Sequence, residues 1–285
     1  MSDRPIIKEP VWTWEVPTYF YVGGLAGTAA GLSRLAEASG NDALARRASA
    51  VACAGAAISP ALLIADLGRP ERFLHMLRMV KVTSPMSIGS WVLAGFGAAA
   101  TAGAADHVVG GRLPGGRLAR TAAAALGLPL ASYTAALVAN TAVPAWHESR
   151  RTLPFVFVSG AAASAGGALT ALTRPDAAGP ARRLAVAGAV AEIVATKAME
   201  RGLADLSDAY SRRFSVGARV AFAAGGAVVA VAGRRSRGAA VAGGLLLNCG
   251  ALLTRWSVYK AGFASARNPR HSLRREPAPA RAPDA

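Results

Sequence analysis

The sequence is poor in the side chains that build metal and redox centres. It has only two cysteines, Cys53 and Cys249, and each lies alone within an apolar run, apart from any CxxC pair. Its four histidines lie in loops, at helix ends or in the C-terminal tail, whereas a membrane haem needs axial ligands inside the helix bundle. Walker, Rossmann and hydrolase motifs are also missing. We therefore expect no metal site, no haem and no iron–sulfur cluster in this chain.

Acidic residues are also few, and the distribution of the basic ones is informative. The chain has 16 Asp and Glu against 32 Lys and Arg, a formal charge of +16. The basic residues form short clusters between long apolar runs, at 46–47, 150–151, 182–183, 212–213 and 234–235. This distribution is typical of membrane-protein loops and unlike the continuous basic face that binds nucleic acid. We therefore expect no nucleic-acid partner.

Apolar residues are abundant and occur in long runs. Hydrophobic residues make up 53% of the chain and the mean hydropathy is +0.32, which favours lipid as the surrounding solvent. Crossing about 30 Å of hydrocarbon takes roughly 20 apolar residues in a helix. Eight segments meet this length, at about 16–36, 48–66, 85–105, 121–142, 152–172, 181–200, 216–233 and 238–259. Because backbone groups in lipid must be satisfied internally, the sequence predicts an all-α, polytopic membrane bundle of eight transmembrane helices.

The chain divides into an N-terminal segment (1–15), a transmembrane domain (16–262) and a basic, proline-rich tail (263–285). The N-terminal residues lack a basic region followed by a cleavage site, so we expect no signal peptide. Eight spans place both termini on one side of the membrane. We call this side the first face; it also carries the loops near 67–84, 143–151 and 201–215. The first face has more basic residues in total, but the short loops of the opposite face are denser in arginine, so charge counting leaves the orientation open.

The most distinctive motifs of the first face lie between the second and third predicted spans. They are DLGRPERF at 66–73 and SPMSIGSW at 84–91. Gly68 and Pro70 are expected to stop one helix, and Pro85 to start the next.

Two interpretations of this linker remain open. Residues 71–80 have an amphipathic pattern, typical of an interfacial helix whose cations meet lipid phosphate. Alternatively, Asp66 lies at a helix end near the membrane boundary, where it can hold or relay a proton beside Arg69.

The first and fourth predicted spans carry phenols and an acid near the same face. Tyr19 fits an aromatic belt, yet Glu15 and Tyr19 are four residues apart and share one helix face, so both can reach a pocket at headgroup depth. Tyr133 lies in an apolar run and needs a hydrogen-bond partner, which a neighbouring helix or a quinone carbonyl would supply. His147 and Glu148 follow the fourth span and return to the first face.

The sixth predicted span contains Glu192, Lys197 and Glu200, with Glu192 placed most deeply. Glu192 marks either a proton path, together with Lys197, or a structural ion pair with Lys197 or with an arginine of another helix, and the sequence favours neither.

The motifs named above resemble those of the polysulfide reductase membrane-subunit family, also called NrfD-like or PsrC-like. The resemblance runs through almost the whole chain. Besides the two linker motifs it includes GGLAG at 23–27, YT at 133–134, AVPAWHE at 142–148, LPF at 153–155 and RWSVYKAGFASARNP at 255–269.

The resemblance implies eight helices, no haem and a site for ubiquinone or menaquinone near the motif-bearing face. Asp66, Tyr133 and Glu15 would handle the reaction's protons. The quinone would be bound by Tyr19, Tyr133, Asp66, Arg69 and Trp91. Glu15 and Tyr19 stand where some relatives have Asn or His.

The resemblance also implies partners on the first face: a four-cluster ferredoxin-like iron–sulfur subunit and a molybdopterin catalytic subunit that carries the terminal reaction of an anaerobic respiratory complex. The residues expected to dock them are Arg72, His75, Arg78, Lys81, His147 and Glu148. The chain would lie in the inner (plasma) membrane, with the motif face and both termini outside the cytoplasm.

Two other functions remain open on the residues alone. In the first, the chain is a passive anchor for its partners. In the second, it is an ion or proton translocator that uses Glu192 and Lys197.

Overall fold

The computed structural model describes residues 7–69 and 71–272, and helices form most of this part of the chain. The α-helices are α1 (Glu15–Ala38), α2 (Asp42–Leu67), α3 (Glu71–Met76), α4 (Pro85–Val108), α5 (Gly116–Ala139), α6 (Pro144–Glu148), α7 (Leu153–Leu172), α8 (Gly179–Leu203), α9 (Arg212–Val231), α10 (Arg237–Arg267) and α11 (Pro269–Ser272). Short 3₁₀ helices follow α6 and α8 at Ser149–Arg151 and Ala204–Ala209. The all-α fold class is confirmed for the described residues.

Within residues 7–69 and 71–272, six helices are long and apolar enough to cross a membrane: α2, α4, α5, α7, α9 and α10. The chain is therefore a multi-pass membrane protein. α1 and α8 coincide with the other two predicted spans but are less apolar, because α1 is rich in glycine and tyrosine and α8 carries several charged residues. α1 packs against α2, α5, α7 and α10, so much of its surface meets protein rather than lipid. Eight spans stay a prediction.

The long helices form two groups of four. In the first group, α1, α2, α4 and α5 pack against one another; in the second, α7, α8, α9 and α10 do so. The groups meet where α1 and α5 contact α7 and where α1 contacts α10.

Glycines bring helix backbones into direct contact at these interfaces. Gly27 of α1 faces Gly127 of α5, and a Cβ added to either would collide with the other's backbone. Between α7 and α8, Gly166 lies against the backbone of Ala185 and Gly188 against that of Ala163. Such close approach lets dispersion forces hold helices together in lipid, where no hydrophobic effect drives them to associate.

A buried ion-pair network joins three helices near the opposite face. Asp106 of α4 is 1% exposed and pairs with Arg120 of α5, whose guanidinium also contacts Glu37 of α1 at 2.7 Å. Gly116 has no side chain to obstruct the Asp106 carboxyl. Each buried charge thus has an opposite charge beside it, which offsets the cost of its removal from water.

Two helix boundaries differ from the predicted ones. α2 begins at Asp42 rather than near residue 48, and its N-cap Asn41 accepts a backbone N–H of the first turn. α10 continues to Arg267, past the predicted end near 259 and past the predicted domain boundary at 262. Hydropathy detects the apolar part of a helix, whereas these helices extend into the polar zone beside it. The predicted tail (263–285) begins within α10 and continues into the short helix α11; residues 273–285 lie outside the described part.

The linker between α2 and α4 is exposed. α2 ends as predicted at Gly68, whose φ of 68° is the left-handed conformation that glycine adopts most readily. Pro70, the other predicted helix stop, lies outside the described residues. α3 is shorter than the predicted helix over 71–80, because none of its residues is buried and an unpacked short helix is marginal. α4 begins at Pro85, as predicted.

The glycine contact between α1 and α5 can be tested with two matched variants of α1. Gly27→Ala places a methyl group against the Gly127 backbone and should lower the free energy of unfolding by about 1–3 kcal/mol. Gly31→Ala is the control, because nothing lies within 4 Å of its added Cβ, and should cause no loss. Unfolding of the purified protein in mixed micelles measures both; equal stability of the two variants would contradict the close contact.

Candidate functional site

A cavity at the first-face end of the bundle collects several of the predicted site residues. It lies between α1, α2, α4 and α5 and has a volume of about 60 Å³. Its lining residues are Trp12, Val16, Tyr19, Phe20, Leu63, Asp66, Leu67, Met76, Met86, Ser90, Tyr133 and Leu137. A larger groove between α7 and α8 is lined by apolar side chains and two hydroxyls, without a phenol or a carboxyl. The smaller cavity is therefore the better candidate for proton-coupled chemistry.

Two phenols form the inner wall of the cavity. Tyr19 is 1% exposed, and its hydroxyl is hydrogen-bonded to that of Tyr133. Gly89 of α4 makes room for the Tyr133 ring, since a Cβ at that position would collide with it. One hydrogen bond between two hydroxyls uses one proton, so the pair retains a second phenolic proton to donate to a ligand.

Asp66 stands at the outer edge, at the end of α2. Its Oδ1 accepts hydrogen bonds from the backbone N–H of Thr13 at 3.0 Å and from the Thr13 hydroxyl at 2.7 Å. The N-terminal segment, residues 7–14, thus holds this carboxyl at the cavity.

Thr13 also connects Asp66 to Glu15. The Thr13 hydroxyl lies within hydrogen-bond distance of a Glu15 carboxyl oxygen as well as of Asp66. A hydroxyl has one proton and can donate to only one of two carboxylates. The second contact becomes a hydrogen bond when the other carboxyl carries a proton. The three groups therefore form a chain along which a proton can be held or passed.

Aromatic side chains fasten the N-terminal segment to α6 and α10. The Trp12 ring stacks on Trp146 with 5.0 Å between the ring centroids, and the Tyr259 hydroxyl donates to the Trp12 carbonyl at 2.7 Å. The Trp146 indole N–H in turn donates to the carbonyl of Val258 at 2.7 Å. The cavity wall at Trp12 consequently depends on α10.

Met76 and Met86 line the side of the cavity nearest the linker. Methionine is unbranched and adaptable, so this wall can change shape at low cost. Ser90 beside them is bound to the Met86 carbonyl at 2.9 Å.

The structure brings together Tyr19, Tyr133 and Asp66 but leaves other predicted site residues outside the cavity. Trp91 points away from the cavity, because it lies about 100° around α4 from Ser90. Its side chain is 41% exposed, and its indole N–H donates to the carbonyl of Met79. Arg69 is exposed, and Glu15 reaches the site only through Thr13.

The residues predicted to dock a partner all lie on the surface. Each one is exposed: Arg72, His75, Arg78, Lys81, His147 and Glu148. Their exposure is compatible with docking but does not test it.

A second polar centre lies inside the second helix group. Glu192 is 1% exposed, and one of its oxygens accepts from Thr196 at 3.1 Å and from Thr254 at 2.8 Å. Lys197 is exposed on another side of α8, so the two predicted partners are apart. Arg255 is buried, donates to the Phe157 carbonyl at 2.6 Å and lies over the Phe157 ring; it is in the predicted span at 238–259 but is not among the predicted site residues.

The attachment of the N-terminal segment should depend on pH. The Arg267 guanidinium donates two hydrogen bonds, of 2.9 and 2.8 Å, to the Glu9 carboxylate and holds the pKa of Glu9 below its usual value. A lowered pKa means that this contact stabilises the segment above the usual pKa of glutamate and is lost as the pH falls through the lowered value. Because both side chains are exposed, the effect should be small.

Amide hydrogen exchange over residues 7–14 tests this attachment. Glu9→Gln should exchange faster than wild type at neutral pH, and the difference should vanish in acid. Glu148→Gln, in an exposed pair with Arg150, is the control. Unchanged protection in Glu9→Gln at neutral pH would contradict the attachment.

Comparison with known proteins finds a similarity in the N-terminal part of the chain. The family model of polysulphide reductase NrfD matches residues 6–101, roughly a third of the sequence, and no curated protein matches. The matched part spans α1, α2, the linker and most of α4, which supply most of the cavity lining. The match supports the resemblance indicated by the motifs: over residues 6–101 the chain is similar to NrfD, a family of membrane subunits of quinone-linked oxidoreductase complexes.

Proposed function

We propose that the chain is a quinone-reactive membrane subunit that passes electrons and protons between a membrane quinone or quinol and an iron–sulfur partner. The observation that carries this proposal is the cavity in which the hydrogen-bonded Tyr19 and Tyr133 face the Asp66 carboxyl. The match of residues 6–101 to a quinone-linked family supports it.

The chemistry of the lining suits a quinone. The unshared phenolic proton of the Tyr19–Tyr133 pair can be donated to one carbonyl oxygen of the ring. Asp66 can exchange a proton with the other oxygen, and apolar side chains such as Leu63 and Leu137 contact the ring faces. Reduction of the quinone to quinol takes up two electrons and two protons. The partner supplies the electrons. Glu15 passes protons through the Thr13 hydroxyl to Asp66, and Asp66 delivers them to the quinone.

The cavity must widen to admit the ring. A single water needs about 10–15 Å³, so a volume of about 60 Å³ holds only a few waters. Met76 and Met86 are the side chains whose movement opens it, because they come from the exposed linker and the start of α4. Binding would then displace these side chains rather than the packed helices.

The charge of the exposed linker indicates the kind of partner. The exposed cations of the linker, Arg72, Arg78 and Lys81, lie on the first face beside the cavity and suit an acidic docking surface. A four-cluster ferredoxin-like subunit there would exchange electrons with the quinone, and a molybdopterin subunit beyond it would carry the terminal reaction. The chain would lie in the plasma membrane with this face outside the cytoplasm.

Three variants test the assignment in the purified complex. Tyr19→Phe, Tyr133→Phe and Asp66→Asn should each lower quinone turnover by at least about tenfold, equivalent to roughly 1.4 kcal/mol in the barrier. Each removes a proton donor or acceptor while keeping the shape of the side chain.

Matched controls separate chemistry from assembly. Tyr21→Phe removes a phenol of α1 that bonds Asn248 outside the cavity, and Asp176→Asn removes an exposed acid. Both should retain turnover. If the three cavity variants assemble normally with unchanged turnover and unchanged bound quinone, the chain is a passive anchor.

Thr13 provides a sharper test of proton delivery. Thr13→Val keeps the shape but removes the hydroxyl between Glu15 and Asp66, so turnover should fall roughly tenfold and its pH profile should change. Thr13→Ser restores the hydroxyl and should restore both. Equal turnover and an unchanged pH profile in the Val variant would show that protons reach the cavity by another route.

A further inference from the structure

A second internal cavity lies between α8, α9 and α10, apart from the one at Tyr19 and Tyr133. Its volume is about 10 Å³, close to the space that one water requires. Its lining residues are Glu192, Thr196, Met199, Glu200, Tyr210, Ser215, Ala218, Arg219, Thr254, Ser257 and Val258. Eight of these residues have polar side chains, and a buried water needs two to four polar partners.

Two buried oxygens on its wall need a partner. One oxygen of Glu192 accepts from Thr196 and Thr254, but Oε2 has no hydrogen-bond partner within residues 7–69 and 71–272. The hydroxyl of Ser257, 4% exposed, has none there either. A buried polar group without a hydrogen-bond partner destabilises the fold. One water in the cavity would satisfy both groups.

The cavity adjoins an open basin on the first face. The basin has a volume of about 720 Å³ and shares Glu200, Tyr210, Ser215 and Arg219 with the cavity. A guanidinium nitrogen of Arg219 contacts both oxygens of Glu200, at 2.6 and 2.7 Å, and this pair forms the neck between the two spaces.

Tyr210 adds a neutral hydroxyl at the same neck. Its oxygen lies 3.1 Å from that of Ser149, and burial raises the pKa of Tyr210 to about 12. The phenol therefore keeps its proton at neutral pH and can both donate and accept a hydrogen bond.

The depth of Glu192 makes this connection notable. Eleven residues separate it from the end of α8 at Leu203, a distance of about 16 Å at the helical rise of 1.5 Å per residue. Glu192 thus lies deep within the second helix group. The basin and the cavity together lead from the first face towards it.

The geometry also identifies what could travel along it. Metal cations such as Ca²⁺ and Mg²⁺ take about six or more oxygen ligands, which a one-water cavity cannot supply. The basin is basic overall, since it carries Lys197, Arg201, Arg212 and Arg219 against Glu200 and Asp208. Such a basin repels metal cations, whereas a proton can move between hydrogen-bonded waters.

We propose that the basin and this cavity form a water-filled passage through which Glu192 exchanges protons with the first face, separately from the quinone cavity. A hydronium ion beside Glu192 transfers its proton to Oε2 and becomes water; release reverses this step. The charged groups around Glu192 are Glu200 on α8, Arg219 on α9 and Arg255 on α10. α7 packs against this part of α8 through uncharged side chains.

Infrared spectroscopy of the intact chain tests the exchange without quinone. A protonated Glu192 gives a carbonyl band that is absent from Glu192→Gln and shifts on transfer to D₂O. We expect the band to appear as the pH is lowered and to shift within seconds of transfer. A Glu192 that takes up no proton at any pH, or a band that shifts only over hours, would overturn the proposal.

A plug in the neck gives a second, independent test. Ser215→Leu fills the space between basin and cavity and should slow the deuterium shift at least tenfold. Val216→Leu is the matched control, because it lies next to Ser215 on α9 but outside both lining sets, and should leave the rate unchanged. Equal rates in the two variants would refute this passage. None of these readouts depends on quinone turnover, so the two proposals can fail separately.

Discussion

Direct contact between helix backbones is the constraint on which the rest of this structure depends. Lipid gives no hydrophobic force between helices, so the bundle is held by close packing at facing glycines such as Gly27 and Gly127. Close packing leaves little internal space, and most of the interior is sealed by small side chains. The spaces that remain are few and small, and polar groups gather at them because they can be satisfied nowhere else. The positions of the carboxyls and phenols thus follow from where the helices fail to touch.

The fold class and the location of the motifs could be predicted, because both follow from the order of apolar runs and motifs along the chain. Apolar runs fix where a helix crosses the membrane, and motifs at the ends of neighbouring spans share a face. Tyr19, Tyr133 and Asp66 were grouped in this way, and the cavity brings them together. The NrfD match covers two of these three residues and supports the family resemblance on which the grouping also rested.

Which side chains face the cavity could not be predicted. That depends on the rotation of each helix about its axis, which hydropathy does not determine in a bundle with small residues on every side. Trp91 and Ser90 are adjacent, yet only Ser90 faces the cavity. Arg255 is in a predicted span, but the sequence does not show that its side chain points into the bundle, as it does. Thr13 was not predicted as a site residue. The path of the chain before α1 brings its hydroxyl between two acids. Such relations arise only from tertiary packing.

The stacking of Trp12 on Trp146, together with the bond from Tyr259 to the Trp12 carbonyl, has a consequence for biosynthesis. Trp12 is synthesised before α1, whereas Tyr259 lies in α10, the last of the long helices within residues 7–69 and 71–272. The cavity between the first helices therefore has an incomplete wall until α10 has been made. A half-made chain already in the membrane holds Tyr19, Asp66 and Tyr133 without the clasp that closes their pocket. The candidate site is thus completed only after α10 has joined the bundle.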